Sequence, residues 1–226
     1  MVSQDCTTLA DDEVVERVLG GETRLFELLM RRYNQRLFRA IRSVIPDDLE
    51  AEDVLQDAWV RAYEHLEQFE SRASFATWIT RIALYESMAR VRKARRFTSL
   101  EESEAPIPAN GLRSNGEDPE QQTLRAELSR EIQSAVDRLP KNYRSVFVLR
   151  DVEGMSTAET ADCLDLSEEA VKTRLHRSRA LLRHDLEAIV GPPLTEVYPF
   201  LGHRCDRILA RVMERIARAR SGAGRD

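Results

Sequence analysis

The sequence predicts an all-α protein: two small helical domains joined by a flexible acidic linker, the second ending in a helix-turn-helix, plus a C-terminal helical extension. Three observations predict it. Apolar residues recur at three- and four-residue spacing in one segment after another, the period of a helix with one buried side. From Phe97 to Gln122 the composition shifts to three prolines, two glycines, several serines and asparagines and an acidic excess, which suits a linker rather than a core. Met155 to Arg183 then reads as two short helices around a tight turn, the second heavily basic. The expected organisation is a first domain over 1–97, a linker over 98–122, a second domain over 123–190 and an extension over 191–226.

Residues 1–10 read as a loose terminus. Asp11 to Leu19 and Glu22 to Val44 read as helices broken by Gly20-Gly21. In the second, Leu25, Leu28, Leu29, Tyr33, Leu37, Ile41 and Val44 form a core stripe. After Pro46 and Asp47, a helix from Glu50 to Phe69 buries Leu55, Ala58, Trp59, Ala62 and Leu66. Its outer side carries Asp53, Gln56, Asp57 and Glu64 around Val60, a layout suited to a basic partner helix, although most charged faces are simply solvated.

Phe75 to Arg96 forms the next helix, with Phe75, Ile79, Ile82 and Ala83 toward the core. Trp78, Arg81, Tyr85 and Met88 share another side, and Arg90, Arg92, Lys93, Arg95 and Arg96 close the helix. Aromatics interleaved with arginine offer stacking and phosphate contacts to single-stranded nucleic acid. The plainer reading makes Trp78 and Tyr85 core aromatics, and it is stronger for Trp78. Helices resume near Thr123, with Leu124, Leu128, Ile132, Ala135, Val136 and Leu139 as the buried stripe and Pro140 as the stop. Tyr143 to Glu153 follows and Gly154 ends it.

Ser156 with Glu159 forms a capping box opening the first helix of the helix-turn-helix, which places Ala158, Ala161 and Leu164 on one side. Asp165 and Leu166 make the turn, and Ser167 caps the second helix. On a wheel of ~100° per residue, Val171, Leu175, Ser178 and Leu182 fall on one side. Lys172, Thr173, His176 and Arg177 fall opposite, flanked by Arg174 and Arg179. That is the arrangement of a recognition helix, with base-reading groups central and phosphate-reaching arginines at the edges. From Lys172 to His184 there are five Lys/Arg and no acid.

The net charge of −5 excludes a uniformly basic nucleic-acid binder, but charge is segregated. Asp47–Glu70 holds nine acids and one arginine, Ala76–Arg96 six Lys/Arg and one glutamate, and Glu101–Glu127 seven acids and two arginines. Different surfaces for different partners follow. Cys6, Cys163 and Cys205 make no CxxC pair, and reduced thiols are the default. No signal peptide or apolar span is visible, so a cytoplasmic location without a membrane partner is expected. No phosphate-cradling loop, nucleophile–base pair or metal cluster stands out, and neither cofactor nor enzymatic activity is expected. His203 and Cys205 supply two potential zinc ligands where a structural site needs about four. A reactive, redox-sensing Cys205 flanked by the cations Arg204 and Arg207 is one reading, but a plain buried thiol is the simpler one.

With those residues in place, the chain resembles the extracytoplasmic-function sigma factors of bacterial RNA polymerase over roughly residues 10–190. AEDVLQDAWVRAYEHLEQF and FATWITRIALYESMARVRKARR are similar to sigma region 2. LPKNYRSVFVLRDVEGMSTAETADCLDLSEEAVKTRLHRSRALLR is similar to region 4. The resemblance implies core RNA polymerase, through its beta-prime clamp helices and beta subunit, and promoter DNA as partners, and it admits an anti-sigma factor. It assigns core binding to Asp53, Gln56, Asp57 and Val60. It assigns the minus-ten element to Trp78, Arg81, Tyr85, Arg90, Arg92 and Lys93, where a base is flipped out and held. The minus-thirty-five element falls to Lys172, Thr173, Arg174, His176, Arg177 and Arg179. Tyr85 stands where many relatives carry Asn, and the stretch 191–226 lies outside the minimal pattern, where a regulatory role is a hypothesis. Two rivals stay open: a stand-alone helix-turn-helix regulator, and a sigma-like decoy for an anti-sigma factor.

Overall fold

The structure, a computed structural model, describes residues 9–98, 119–186 and 202–222. The expected linker lies almost wholly outside the described residues, as do the first eight residues and the Gly191-Pro192-Pro193 stretch. Helix α1 is Asp11–Leu19, and Gly21 at φ 106° makes the turn after it. A short 3-10 turn, Thr23–Leu25, leads into α2, Phe26–Arg42. Helix α3, Asp48–Glu64, starts at Asp47, whose carboxylate accepts the Glu50 N–H at 2.8 Å. It begins two residues ahead of Glu50 and ends five short of Phe69, because Leu66–Gln68 tightens into a 3-10 turn. Helix α4 is Phe75–Thr98.

In the second half, α5 is Pro119–Arg138 and begins four residues ahead of Thr123. Proline fits the first turn of a helix, where its missing N–H costs nothing, so a proline in the linker composition is the helix start. Helix α6, Lys141–Phe147, runs into a π-helical turn, Val148–Val152. Gly154, at φ 68°, turns the chain into α7, Thr157–Leu164. Helix α8 is Glu168–Leu186, and α9, Gly202–Gly222, forms the extension. The all-α expectation holds.

One apolar cluster runs through all three parts. Phe26, Leu29, Leu37, Phe38, Leu55 and Trp59 anchor it in the first domain. Ile132, Val136, Val148 and Leu149 join from the second, and Ile208, Val212 and Ile216 from α9. Burying an aliphatic side chain of that size contributes about 1.5–3 kcal/mol each, an upper estimate. Trp59 settles its indole by donating to Asn34 Oδ1 at 2.7 Å.

The two domains are packed against each other. Arg144, itself buried, donates from Nε to the Ser43 carbonyl at 2.9 Å. Arg36 donates to the Glu153 carbonyl at 2.8 Å and Arg39 to its carboxylate at 3.1 Å. Thr77 Oγ1 donates to Glu159 at 2.8 Å, and Arg81 pairs with Asp162 at 3.2 Å. The interface corrects the reading of α7. Ala158 is exposed rather than on the buried side, while Thr160 and Cys163 are buried. The reason is that α7 buries a side against α4 as well as one against α8, and Cys163 Sγ faces the Thr77 carbonyl at 3.6 Å.

Candidate nucleic-acid interface

The helix-turn-helix is built by local rules. Ser156 accepts the Glu159 N–H at 3.1 Å while Glu159 accepts the Ser156 N–H at 2.8 Å, completing the capping box. Asp165 takes the left-handed conformation that ends α7, at φ 53°, a state aspartate enters more readily than most residues. Ser167 Oγ accepts the Ala170 N–H at 3.2 Å and opens α8.

The wheel of α8 holds. Val171, Leu175, Ser178 and Leu182 are buried, and Ser178 is satisfied by donating to the Leu175 carbonyl at 2.8 Å. Lys172, Thr173, His176 and Arg177 are exposed on the opposite side, with Arg174 half-buried beside them. An open groove of about 670 Å³ runs along this face, lined by Pro140, Asn142, Tyr143, Thr173, Arg174 and Arg177. The Tyr143 hydroxyl accepts from Arg177 at 3.2 Å, and that hydrogen bond holds the guanidinium pKa above its ordinary value. Sequence reasoning missed Tyr143, whose partner is 34 positions away. It also missed Asp151, which takes Arg179 through two bonds of 2.8 and 2.6 Å. Arg179 is therefore fixed to its own domain at one edge of the face.

The α4 residues separate into groups. Trp78 is half-buried and packs on Phe69 and Phe75, each ring centroid 5.5 Å away, which fixes the orientation of its indole. Tyr85 is 57% exposed, with the Arg61 and Arg92 guanidinium groups 5.8 and 5.9 Å from its ring. Arg92 and Lys93 are exposed. Arg90 turns toward α3 and meets Asp57 at 3.7 Å and Glu50 at 4.0 Å. Arg81 is held by Asp162 of α7, so the docked helix-turn-helix occupies part of this side. The side chains of Arg95 and Arg96 lie outside the described residues.

The outer side of α3 also divides. Asp53 is exposed and Val60 half-buried. Gln56 does not stand on an open face: it is buried, donating back to the Glu52 carbonyl at 3.2 Å. Asp57 is half-buried and bonded to Arg215 of α9 at 2.9 Å. Glu52, assigned to neither side of the wheel, is buried and meets Arg204 at 3.4 Å and Arg207 at 2.5 Å. No local signal could have found these pairs, since their partners lie more than 150 positions away. Among the described residues, no group of three or more His, Cys, Asp or Glu is placed to hold a metal ion.

Family models for Sigma-70 region 2 and Sigma-70 region 4 match residues 29–97 and 129–182. The chain is 31% identical to the ECF RNA polymerase sigma factor SigW of Bacillus subtilis, over 76% of this chain and 94% of that one. It is 29% identical to the RNA polymerase sigma-H factor of Pseudomonas aeruginosa, over 80% and 95%. Among solved structures it is similar to CnrH in complex with the cytosolic domain of CnrY, at 28% identity and TM-score 0.55, over 80% of this chain and 99% of that one. RpoE in complex with the anti-sigma factor NepR from Bartonella quintana shares the fold at TM-score 0.57 and 19% identity, over 68% and 91%. Two helical units carrying regions 2 and 4 in this order define a sigma subunit of RNA polymerase. The chain belongs to the extracytoplasmic-function sigma factors. Proteins of this class direct transcription initiation rather than catalyse a reaction of their own. Helix α9 lies outside both matched stretches.

Proposed function

We propose that this sigma factor directs core RNA polymerase to its promoters through three separate surfaces, one for each partner element. Lys172, Thr173, His176 and Arg177 read the minus-thirty-five duplex in the major groove, with Arg174 beside them and Arg179 buttressing the edge. Tyr85 stacks on an unpaired minus-ten base, while Arg92 and Lys93 meet its phosphates. Arg81 joins them once α7 moves away, Trp78 supports them from the aromatic core, and Arg90 holds α4 to α3. The acidic side of α3, with Asp53 and Asp57 around Val60 and Gln56 beneath, receives the polymerase clamp. The domain divisions of the sequence reading go with this assignment, as does a cytoplasmic location; among the described residues no helix is long and apolar enough to cross a membrane. The chain carries no catalytic role in it. A protein ligand that controls the sigma factor is a further partner, in keeping with CnrH being bound by CnrY.

The observation that carries the reading is the clean division of α8 into a buried stripe and an open basic face behind two capped helix starts. Run-off transcription with purified core polymerase on a promoter library tests it. Specific new transcripts that appear only with this protein support it. Absence of transcripts together with absence of core binding would return the stand-alone regulator and the decoy to the front.

A further inference from the structure

The side of α3 that faces a partner in the reading above is not vacant at Asp57: a helix of the same chain lies along it. Helix α9 sets Ile208, Val212 and Ile216 into the core and carries Arg204, Arg207 and Arg215 beside that stripe. Three acids one turn or more apart on α3 receive them. Arg204 bonds Asp48 at 2.9 Å, Arg207 bonds Glu52 at 2.5 Å and Arg215 bonds Asp57 at 2.9 Å. Asp206 on the other edge accepts from Arg31 of α2 at 3.0 Å. Arg204 lies 5.4 Å over the Phe38 ring, and Asn34 Nδ2 approaches Cys205 Sγ at 3.0 Å. The register is therefore fixed by charge along the whole contact and by apolar fit beneath it. Glu52 is 4% exposed, and a carboxylate so buried needs a cation and hydrogen bonds beside it. Whatever covers this part of α3 must bring that cation.

We infer that the α2–α3 face is a docking surface for an amphipathic helix bearing arginine or lysine beside an apolar stripe, and that α9 is a built-in occupant competing with the polymerase for it. The inference rests on the reading of α3 as the core-facing helix. The footprints coincide at Asp57 and run side by side from Glu52 to Asp57, while Asp53 stays exposed at the margin. Core polymerase meets Asp53 first and reaches Asp57 as α9 leaves. The free chain is thereby held in a form of reduced affinity, because only the fraction with α9 displaced binds fully. The same chemistry sets the partner apart from DNA, which the acidic α3 repels.

The experiment compares equilibrium binding of core polymerase to the full chain, to the double variant Arg207→Glu/Arg215→Glu and to a chain ending at residue 190. Both alterations should tighten core binding by about tenfold or more. A synthetic peptide of residues 202–222, titrated onto the shortened chain with core present, should weaken binding again and saturate. Should the shortened chain prove insoluble with its apolar face uncovered, the double variant alone carries the comparison. Equal affinity of the full chain and the double variant, with core bound by both, overturns the competition. A control in the double variant separates the two readings: Asp53→Lys should weaken core binding, and unchanged affinity there would refute the assignment of α3 to core, and the competition with it.

Discussion

Helices α3 and α8 are both charged, amphipathic and fully folded, yet they present their charge in opposite ways. On α8 the buried stripe is filled by its own domain, and Lys172, Thr173, His176 and Arg177 remain exposed, Arg177 against the Tyr143 hydroxyl. On α3 the charge itself is packed away: Glu52 and Asp57 hold arginines of α9, and Gln56 is buried. The difference teaches that a charged face states which partner chemistry it fits, not whether it is open to that partner. On the proposed reading a duplex would meet the exposed face of α8 as it stands, whereas a clamp helix on α3 would have to displace α9 from Glu52 and Asp57.

The sharpest way to break this contrast is on α3. Asp53 and Glu64 are the acids of that side left exposed, and Asp53 lies nearer Asp57 and Val60 on the proposed core-facing surface, so Asp53→Lys should weaken core binding by at least ~30-fold while the fold, followed by circular dichroism, stays intact. Retained affinity would leave the open charge of α3 as ordinary solvated surface. On α8 the expected loss is smaller and sequence-dependent. Lys172→Ala or Arg177→Ala should weaken a specific promoter ~10- to 100-fold and relax preference at one position. Arg179→Ala should weaken all sequences more evenly, since Asp151 already engages its guanidinium through two bonds. Binding isotherms on single-base promoter variants separate the two patterns, and a uniform loss from Arg177→Ala would demote it to a phosphate contact.

What the sequence made legible divides along the same line. The caps at Ser156 and Ser167, the turn at Asp165 and both faces of α8 depend on residues a few positions apart, and each is where local spacing puts it. The packing of one face of Trp78 follows for a related reason: its partners Phe69 and Phe75 are near neighbours in the chain. The placements of Glu52 and Cys163 were not legible, because each is decided by an element far away. Period alone cannot say which of two polar sides another domain will cover. Tyr143 and Asp151 belong to the same group, for they act through α8 side chains 34 and 28 positions on.

At the α4–α7 contact, a stability effect and a binding effect can be told apart. Ser156→Ala removes one half of the capping box and should cost about 1 kcal/mol in thermal unfolding, because a helix start loses its side-chain acceptor. Opening of the domains should follow it. Burial pushes the Cys163 thiol up to about 12, with Asp162 adding to the rise, so Cys163 is slow to alkylate while α7 stays on α4. Faster alkylation in Ser156→Ala, at unchanged pH, is the expected result; an equal rate would mean that the interface does not depend on the cap.

The smallest expected effect concerns Glu159, which serves the cap and the interface together. The Ser156 backbone N–H is the main cause holding its pKa below the ordinary carboxylate value, followed by the Ser156 and Thr77 hydroxyls. A depressed folded pKa means that the unfolded chain binds more protons in this range. The carboxylate therefore contributes stability that is fully present above its unfolded pKa of roughly 4.3 and is lost as pH falls through the lower folded value. Glu159→Gln keeps an acceptor for Ser156 but carries no charge to titrate. The variant should be slightly less stable than the parent at pH 7, by a few tenths of a kcal/mol for one partly exposed group, and the gap should close on acidification toward pH 3. Thermal unfolding of both proteins across that range decides it. A gap that stays constant with pH would assign Glu159 the shape of a cap without the charge. Since α8 takes no part in this contact, promoter preference should be the same in both proteins at pH 7.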